Sequence, residues 1–152
     1  MRVDFTASGI ILHPTDDKVL LIFHRKLQKW MQTWGHIDPG EVPHETALRE
    51  AQEETGLECV LHDKRHSQDD ITSETVLPLP LMMEKQIIPT YKDQEEHIHC
   101  DSFFVLHPLS TETTDWDHNI LEVKRFTPDE IAALWDQCFP TLHKLILKIF
   151  GN

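Results

Sequence analysis

The chain has 152 residues, 39% of them hydrophobic and 26% charged, a size and balance that support one buried core and exclude the disordered, collagen-like and coiled-coil classes. Acidic residues outnumber Lys plus Arg 26 to 14, giving a formal net charge of -12, which disfavours long-range attraction to a nucleic-acid polymer or an anionic membrane. The cysteines Cys59, Cys100 and Cys138 form neither a disulfide framework nor a Cys-based zinc pattern, and a reducing cytoplasmic setting fits them best. The longest purely apolar run, 19–23, is far short of the roughly 18–20 residues of a membrane span, and Met1-Arg2-Val3-Asp4 is unlike a signal peptide.

No repeat or Gly/Ser linker divides residues 1–152, which are read as a single domain. Apolar runs at 9–12 and 19–23 flank the turn-like 13–18 and predict two strands. Pro43 suits a first helical turn, Ala and Glu dominate the residues after it, and Gly56 before Leu57 suits a C-terminal cap, so the composition predicts a helix over Pro43–Thr55. Further strands are expected at 58–61, around 75–81, at 97–106 and at 121–126. Thr127-Pro128-Asp129-Glu130 opens a helix through about Trp135, and 142–150 reads as a closing helix. Strands, helix, strands and helices in that order predict an α/β domain, a mixed β-sheet covered by α-helices.

Glu50, Glu53 and Glu54 stand at i, i+3 and i+4 of the first helix and so fall within an arc of about 100° on one face. Ala47, Leu48 and Ala51 lie to one side of that arc, where they can pack on the sheet. Like charges at this spacing cost only roughly 0.2–0.5 kcal/mol per pair on an exposed helix, so a solvated acidic face is an adequate reading of the glutamates taken alone.

The surrounding pattern changes that reading. Gly35, Glu41, Arg49, Glu50, Ala51, Glu53, Glu54, Gly56 and Leu57 fit G-x5-E-x7-R-E-U-x-E-E-x-G-U, with U apolar, and the segment resembles the complete Nudix box (MutT-like hydrolases). A chance match somewhere in the chain has a probability on the order of 10⁻⁷. His24-Arg25-Lys26-Leu27, Trp30, Gln32, His36, Pro39-Gly40-Glu41 and His97-x-His99-x-Asp101 are similar to a subset of the same family. The resemblance implies the Nudix fold, a mixed sheet sandwiched between helices. It also implies hydrolysis of a diphosphate linkage in a nucleotide or nucleoside diphosphate derivative, by water attacking phosphorus with Mg²⁺, or Mn²⁺, as cofactor. Two departures stand out: many relatives have Gly-Gly in place of Trp34-Gly35, and Val42 stands where a Ser or Thr often caps the helix.

Three clustered carboxylates suit a hard divalent cation. On this reading Glu53 and Glu54 hold metal, while Glu50 shares in ligation or accepts a proton from water. Arg49 orients a carboxylate such as Glu41 or Glu53, Glu41 braces the loop or a metal-bound water, and Gly35, Gly40 and Gly56 meet backbone requirements. A base could instead come from Glu112, Asp115 or Asp117, although a solvated acidic loop is the more ordinary reading of those residues. His97, His99 and Asp101 alternate along one strand, about 6.7 Å apart, and could line the pocket, form a second metal site or make an ordinary polar face. Arg25, Lys26 and Lys29 could meet substrate phosphates. Trp30, Trp34 and Trp116 could stack on a base or simply pack. The rivals are a nucleotide sensor without turnover and an isomerase of allylic diphosphates that would use Cys100. Substrate identity is left open by the sequence, as is oligomeric state, with which a homodimer is compatible.

Overall fold

The structure, a computed structural model, describes residues 1–63, 74–114 and 116–151. In chain order it contains β1 Val3–Leu12, β2 Val19–His24, β3 Lys29–Met31, β4 Thr33–His36, α1 Pro43–Thr55, β5 Cys59–Leu61, β6 Met82–Ile88, β7 His97–Pro108, β8 Ile120–Phe126, α2 Pro128–Ala132, a 3₁₀ turn Trp135–Gln137 and α3 Pro140–Phe150. The expected mixed sheet is present: β1 runs parallel to β7, and the other pairings are antiparallel.

The sheet is divided at β1 and β7. The first half of β1 pairs with β4, Thr6 opposite His36 and Ser8 opposite Trp34, while its end pairs with β2. Likewise β7 pairs with β6 over residues 97–103 and with β5 over 106–108. Because side chains alternate along a strand, Ala7 and Ile11 of β1 join Phe104 and Leu106 of β7 in a core under α1 with Ala47 and Ala51. Ile10 and Phe103 point the other way, into a second core with Ile131 of α2 and Leu142, Leu145 and Ile146 of α3. The helices thus cover both faces of the sheet.

Strand pairing departs from the sequence expectation in three places. Residues 75–80 form no strand; β6 starts at Met82, after Pro78 and Pro80, whose rings leave no N–H for a ladder. Pairing begins only with the Leu81 N–H, which donates to the Phe103 carbonyl at 2.7 Å. β3 and β4 were not expected because they are short, and β1 begins at Val3 rather than residue 9, its first half concealed in the sequence because polar Thr6 and Ser8 are buried while apolar Val3 and Phe5 are exposed. α2 stops at Ala132, ahead of Trp135, which adopts φ of 48°. α3 begins at Pro140, a residue suited to the first turn.

α1 has the boundaries the sequence predicts. Val42 offers no side-chain cap, but Glu45 reaches back and its Oε1 accepts the Val42 N–H at 3.0 Å, which satisfies the half of a capping box that valine leaves available. At the other end Gly56 adopts φ of 78°, and a Cβ there would also stand 2.1 Å from the Thr114 carbonyl oxygen.

Asp101 is buried in the face opposite α1. The Ser8 hydroxyl donates to its Oδ2 at 2.8 Å, and the Gln32 amide donates to Ser8 Oγ at 3.3 Å. Burial raises its pKa to about 6 from 3.8, outweighing the hydrogen bond from Ser8. Between those values the folded protein holds more protons than the unfolded chain, so this contribution to stability is complete below about pH 4 and is lost as the pH rises through 6. Urea unfolding of wild type and Asp101→Asn at pH 4, 5, 6 and 7 should show a decline of on the order of 2 kcal/mol in the wild type that the variant lacks. Leu145→Ala, which empties a fully buried position, should lower unfolding free energy by about 2–5 kcal/mol in the same measurement.

Candidate active site

The β4–α1 connection and the first three turns of α1 meet through Arg49. Its guanidinium makes a two-point contact with Glu41, Nε to Oε2 at 2.7 Å and Nη2 to Oε1 at 3.0 Å, the geometry in which arginine binds a carboxylate best. Nη2 also donates to the His36 carbonyl at 3.1 Å and lies 3.3 Å from Asp38 Oδ2. Nη1 donates to Glu50 Oε1 at 2.7 Å and to Glu53 Oε2 at 3.3 Å. Glu41 additionally accepts from the Thr46 hydroxyl at 2.7 Å and the Asp38 N–H at 3.1 Å. The Arg49 hydrogen bonds are the chief reason its pKa falls to about 2.

The glutamates occupy three different environments. Glu54 is 7% exposed, and its Oε1 accepts the Trp34 N–H at 2.8 Å. Burial raises its pKa to about 8 despite that bond, with further upward pushes from Glu50, Asp117 and Glu53. Glu50 is also raised, first by burial, while Arg49 pulls in the opposite direction. Glu53 is half exposed. Gly35 lies on the sheet face beneath α1, and a Cβ on it would come within 2.1 Å of Glu50 Oε1. The glycine is therefore needed for close approach of the Glu50 side chain. Gly40 serves the loop differently, through φ of 85°.

This donor set suits a hard divalent cation. A desolvated carboxylate surrounded by three other acids is stabilised by positive charge, and Mg²⁺ is commonly held by one or two carboxylates together with waters and substrate phosphates rather than by a closed protein cage. Among the described residues the glutamate oxygens are not gathered as three ligand atoms within 4.8 Å of one another.

The loop before β8 is anchored at the C-terminal end of the same helix. The Thr114 N–H donates to the Thr55 carbonyl at 3.1 Å and the Asp117 N–H to the Glu53 carbonyl at 3.2 Å. Asp117 thus stands close enough to act on Glu54, whereas Glu112 is exposed. Asp115 lies outside the described residues. Arg25 and Lys26 occupy the turn after β2: Arg25 Nε donates to the His118 carbonyl at 3.0 Å, and Lys26 Nζ sits 4.3 Å from the Tyr91 ring centroid. Lys29 Nζ donates to the Asp136 carbonyl.

His97 and His99 project from β7 on the sheet face opposite α1, with His99 opposite Asp4 of β1 in the register. Both are buried. The His99 pKa is lowered, first by burial and then by His36 and His97. Trp34 touches both regions, its N–H bound to Glu54 and its ring 5.9 Å from the His99 ring. Asp4 and Asp38 were not singled out from the sequence, since nothing in their spacing marks them. Register alone brings Asp4 to His99, and loop geometry brings Asp38 to Arg49. Beside Asp4 and His36 a cleft of about 560 Å³ opens toward Glu41, Val42 and Pro43.

Comparison with known proteins bears on the fold. The chain is similar to a hydrolase of the NUDIX family from Clostridium perfringens, with TM-score 0.73, 25% identity and 97% of both chains covered. A NUDIX hydrolase from Nitrosomonas europaea superposes with TM-score 0.72 at 20% identity, over 98% of this chain and 88% of that one. A C. elegans Ap4A hydrolase shares the fold at TM-score 0.63 and 16% identity, over 97% and 96%. The bis(5'-nucleosyl)-tetraphosphatase [asymmetrical] of Rattus norvegicus is 59% identical over 58 residues, 38% of this chain, and the match spans only 34% of the rat protein. A family model described as NUDIX domain matches residues 4–145, and from β1 to α3 the chain belongs to the Nudix family of hydrolases.

Proposed function

We propose that the protein is a Mg²⁺-dependent Nudix pyrophosphohydrolase that cleaves a diphosphate linkage in a nucleotide or nucleoside diphosphate derivative. The observation that carries this reading is Glu54, a buried carboxylate raised to about 8 beside Glu50, Glu53 and Asp117, an arrangement that a bound cation stabilises. Glu53 and Glu54 would hold the metal with Glu50 beside them, and the cation, Mg²⁺ or Mn²⁺, when bound supplies charge that neutralises phosphate oxygens and acidifies the attacking water.

The chain's own groups do the rest. Glu50, with its pKa above the ordinary carboxylate value, shares in ligation or takes a proton from water as the water oxygen bonds to phosphorus and the bridging P–O bond breaks toward the leaving phosphate. Asp117 is the alternative base supported by position, through its bond to the Glu53 carbonyl. Arg49 is a positioning residue that holds Glu50 and Glu53 against the Glu41 loop. Arg25 and Lys26, at the end of β2, are proposed to contact substrate, whereas His97 and His99, expected from the sequence to line the pocket, are buried on the sheet face away from the box glutamates. The names of the rat and C. elegans proteins favour including dinucleoside polyphosphates among the nucleotides tried.

Phosphate-release assays with Mg²⁺ or Mn²⁺ over nucleoside triphosphates, nucleoside diphosphate sugars, ADP-ribose and Ap4A test the reading. Turnover of at least one supports it, and binding without cleavage of any would establish a sensor instead. Glu53→Gln should lower kcat by roughly 10²-fold or more with an unchanged circular dichroism spectrum, and near-normal turnover would remove the proposed metal role. Gly35→Ala, by displacing the Glu50 carboxylate, should reduce kcat by roughly 10-fold or more while Gly40→Ala, where a Cβ meets nothing within 4 Å, should chiefly lower thermal stability.

A further inference from the structure

On the sheet face away from α1, three strands bring together side chains that the proposed hydrolysis does not require as metal ligands. Asp4 comes from β1, His36 from the end of β4, and His97 and His99 from β7. The register pairs Asp4 with His99 and Thr6 with His36, so alternation places all four side chains on one face. One ligand atom each from Asp4, His36 and His99 lies within 4.8 Å of the others. His97 Nε2 is 3.2 Å from His99 Nε2, and Asp4 Oδ2 is 3.7 Å from His36 Nε2 and 3.8 Å from His97 Nε2.

These separations have a chemical meaning. Ligand atoms about 2.0–2.1 Å from a tetrahedral Zn²⁺ stand roughly 3.3 Å from one another. The imidazole pair already has that spacing, and the two longer separations differ from it by a few tenths of an ångström. Two buried imidazole nitrogens facing each other satisfy at most one hydrogen bond between them, whereas a cation would use both lone pairs. His97 is held in the required tautomer: the Glu95 carbonyl, 2.8 Å from Nδ1, can only accept, so Nδ1 carries the proton and Nε2 presents its lone pair. Outer hydrogen bonds of this kind orient histidines in metal sites. Asp4 is oriented from outside as well, by Arg2, whose Nε and Nη2 donate to its two oxygens at 2.9 and 3.2 Å. The open cleft beside Asp4 and His36 supplies an entry path.

We propose that Asp4, His36 and His99, with His97 beside them, form a second cation site, selective for a borderline divalent transition metal of the Zn²⁺ type and separate from the glutamate cluster. Imidazole-rich ligation favours such ions over Mg²⁺, and an ion there would clamp the starts of β1 and β7 to the end of β4. The site does not rest on the hydrolase reading, because its ligands and the box glutamates lie on opposite faces of the sheet.

The test is a titration of the tag-free full chain with Co²⁺, followed by visible absorption, in parallel with Glu53→Gln/Glu54→Gln, His97→Ala/His99→Ala and His36→Gln. Binding of one equivalent with the intense bands of tetrahedral Co²⁺, displaced by Zn²⁺ but not by excess Mg²⁺ and retained in the glutamate variant, is expected. The bands should vanish in the double histidine variant. His36→Gln, at an exposed position where folding is not at issue, should weaken Co²⁺ affinity by about tenfold or more. Absence of tetrahedral bands in the wild type, or their persistence in His36→Gln at full affinity, would overturn the proposal, as would their loss in the glutamate variant alone. A raised KM for nucleotides in the histidine variants, with Co²⁺ binding unchanged, would assign these residues to the substrate instead.

Discussion

The geometry of the acidic site depends on one cation. Arg49 joins a loop that precedes the helix to carboxylates that project from it, and it contacts Glu41, Glu50, Glu53, Asp38 and the His36 carbonyl. Glu50 and Glu53 would otherwise repel on adjacent turns, and the loop would have no fixed relation to them. Because the Glu41 pair is partly shielded and has two contact points, it is worth more than an ordinary surface ion pair. The low pKa of Glu41 means that this contribution is complete above about 4.5 and is lost only as the pH falls toward 2. Fixing the loop also fixes Trp34 and Gly35 just before it, one donating its N–H to Glu54 and the other leaving room for Glu50.

The second constraint is the sharing of β1 and β7 by two halves of the sheet. Each of these long strands leaves one set of neighbours and joins another along its length, and at the changeover its side chains still alternate between the two faces. The small residues Ala7 and Gly35 face α1 and permit its close approach, while Asp4, Ser8, His99 and Asp101 face the other way. A single pair of strands thereby carries an apolar floor for the acidic helix on one side and a polar seam on the other. Trp34 lies at the boundary, tied by its backbone to Glu54 and by its ring to His99.

The part of this design written in local sequence could be read without coordinates. The spacing of Glu50, Glu53 and Glu54, the proline and glycine that bound α1, and the full box from Gly35 to Leu57 all depend on neighbours within a few turns. The polar seam was only half legible: alternation placed His97, His99 and Asp101 on one face, but their partners Asp4 and His36 arrive through strand register, which no periodicity within β7 encodes. β3 and β4 escaped notice because strands of three or four residues carry too few alternations to stand out. The strand expected at 75–81 failed for a visible reason, since apolar content around Pro78 and Pro80 resembled β structure while the prolines removed the donors it needs.

Electrostatics ties the site to the kind of molecule it can serve. A phosphate-bearing molecule approaching a protein of net charge -12 gains nothing from the overall field, and within the acidic site the Arg49 guanidinium is already engaged by carboxylates. Glu50 and Glu54 have raised pKa values first because burial strips water from their carboxylates, and secondly because neighbouring acids repel their charge. On the proposed reading, a divalent cation held by Glu53 and Glu54 would reverse the local sign at the surface a phosphate must reach. Binding and chemistry would then have a common requirement, since the ion that admits a diphosphate would also supply the charge that acidifies water. Such coupling would give an acidic protein selectivity for metal-chelated phosphates without an extended basic surface that would also attract nucleic acid.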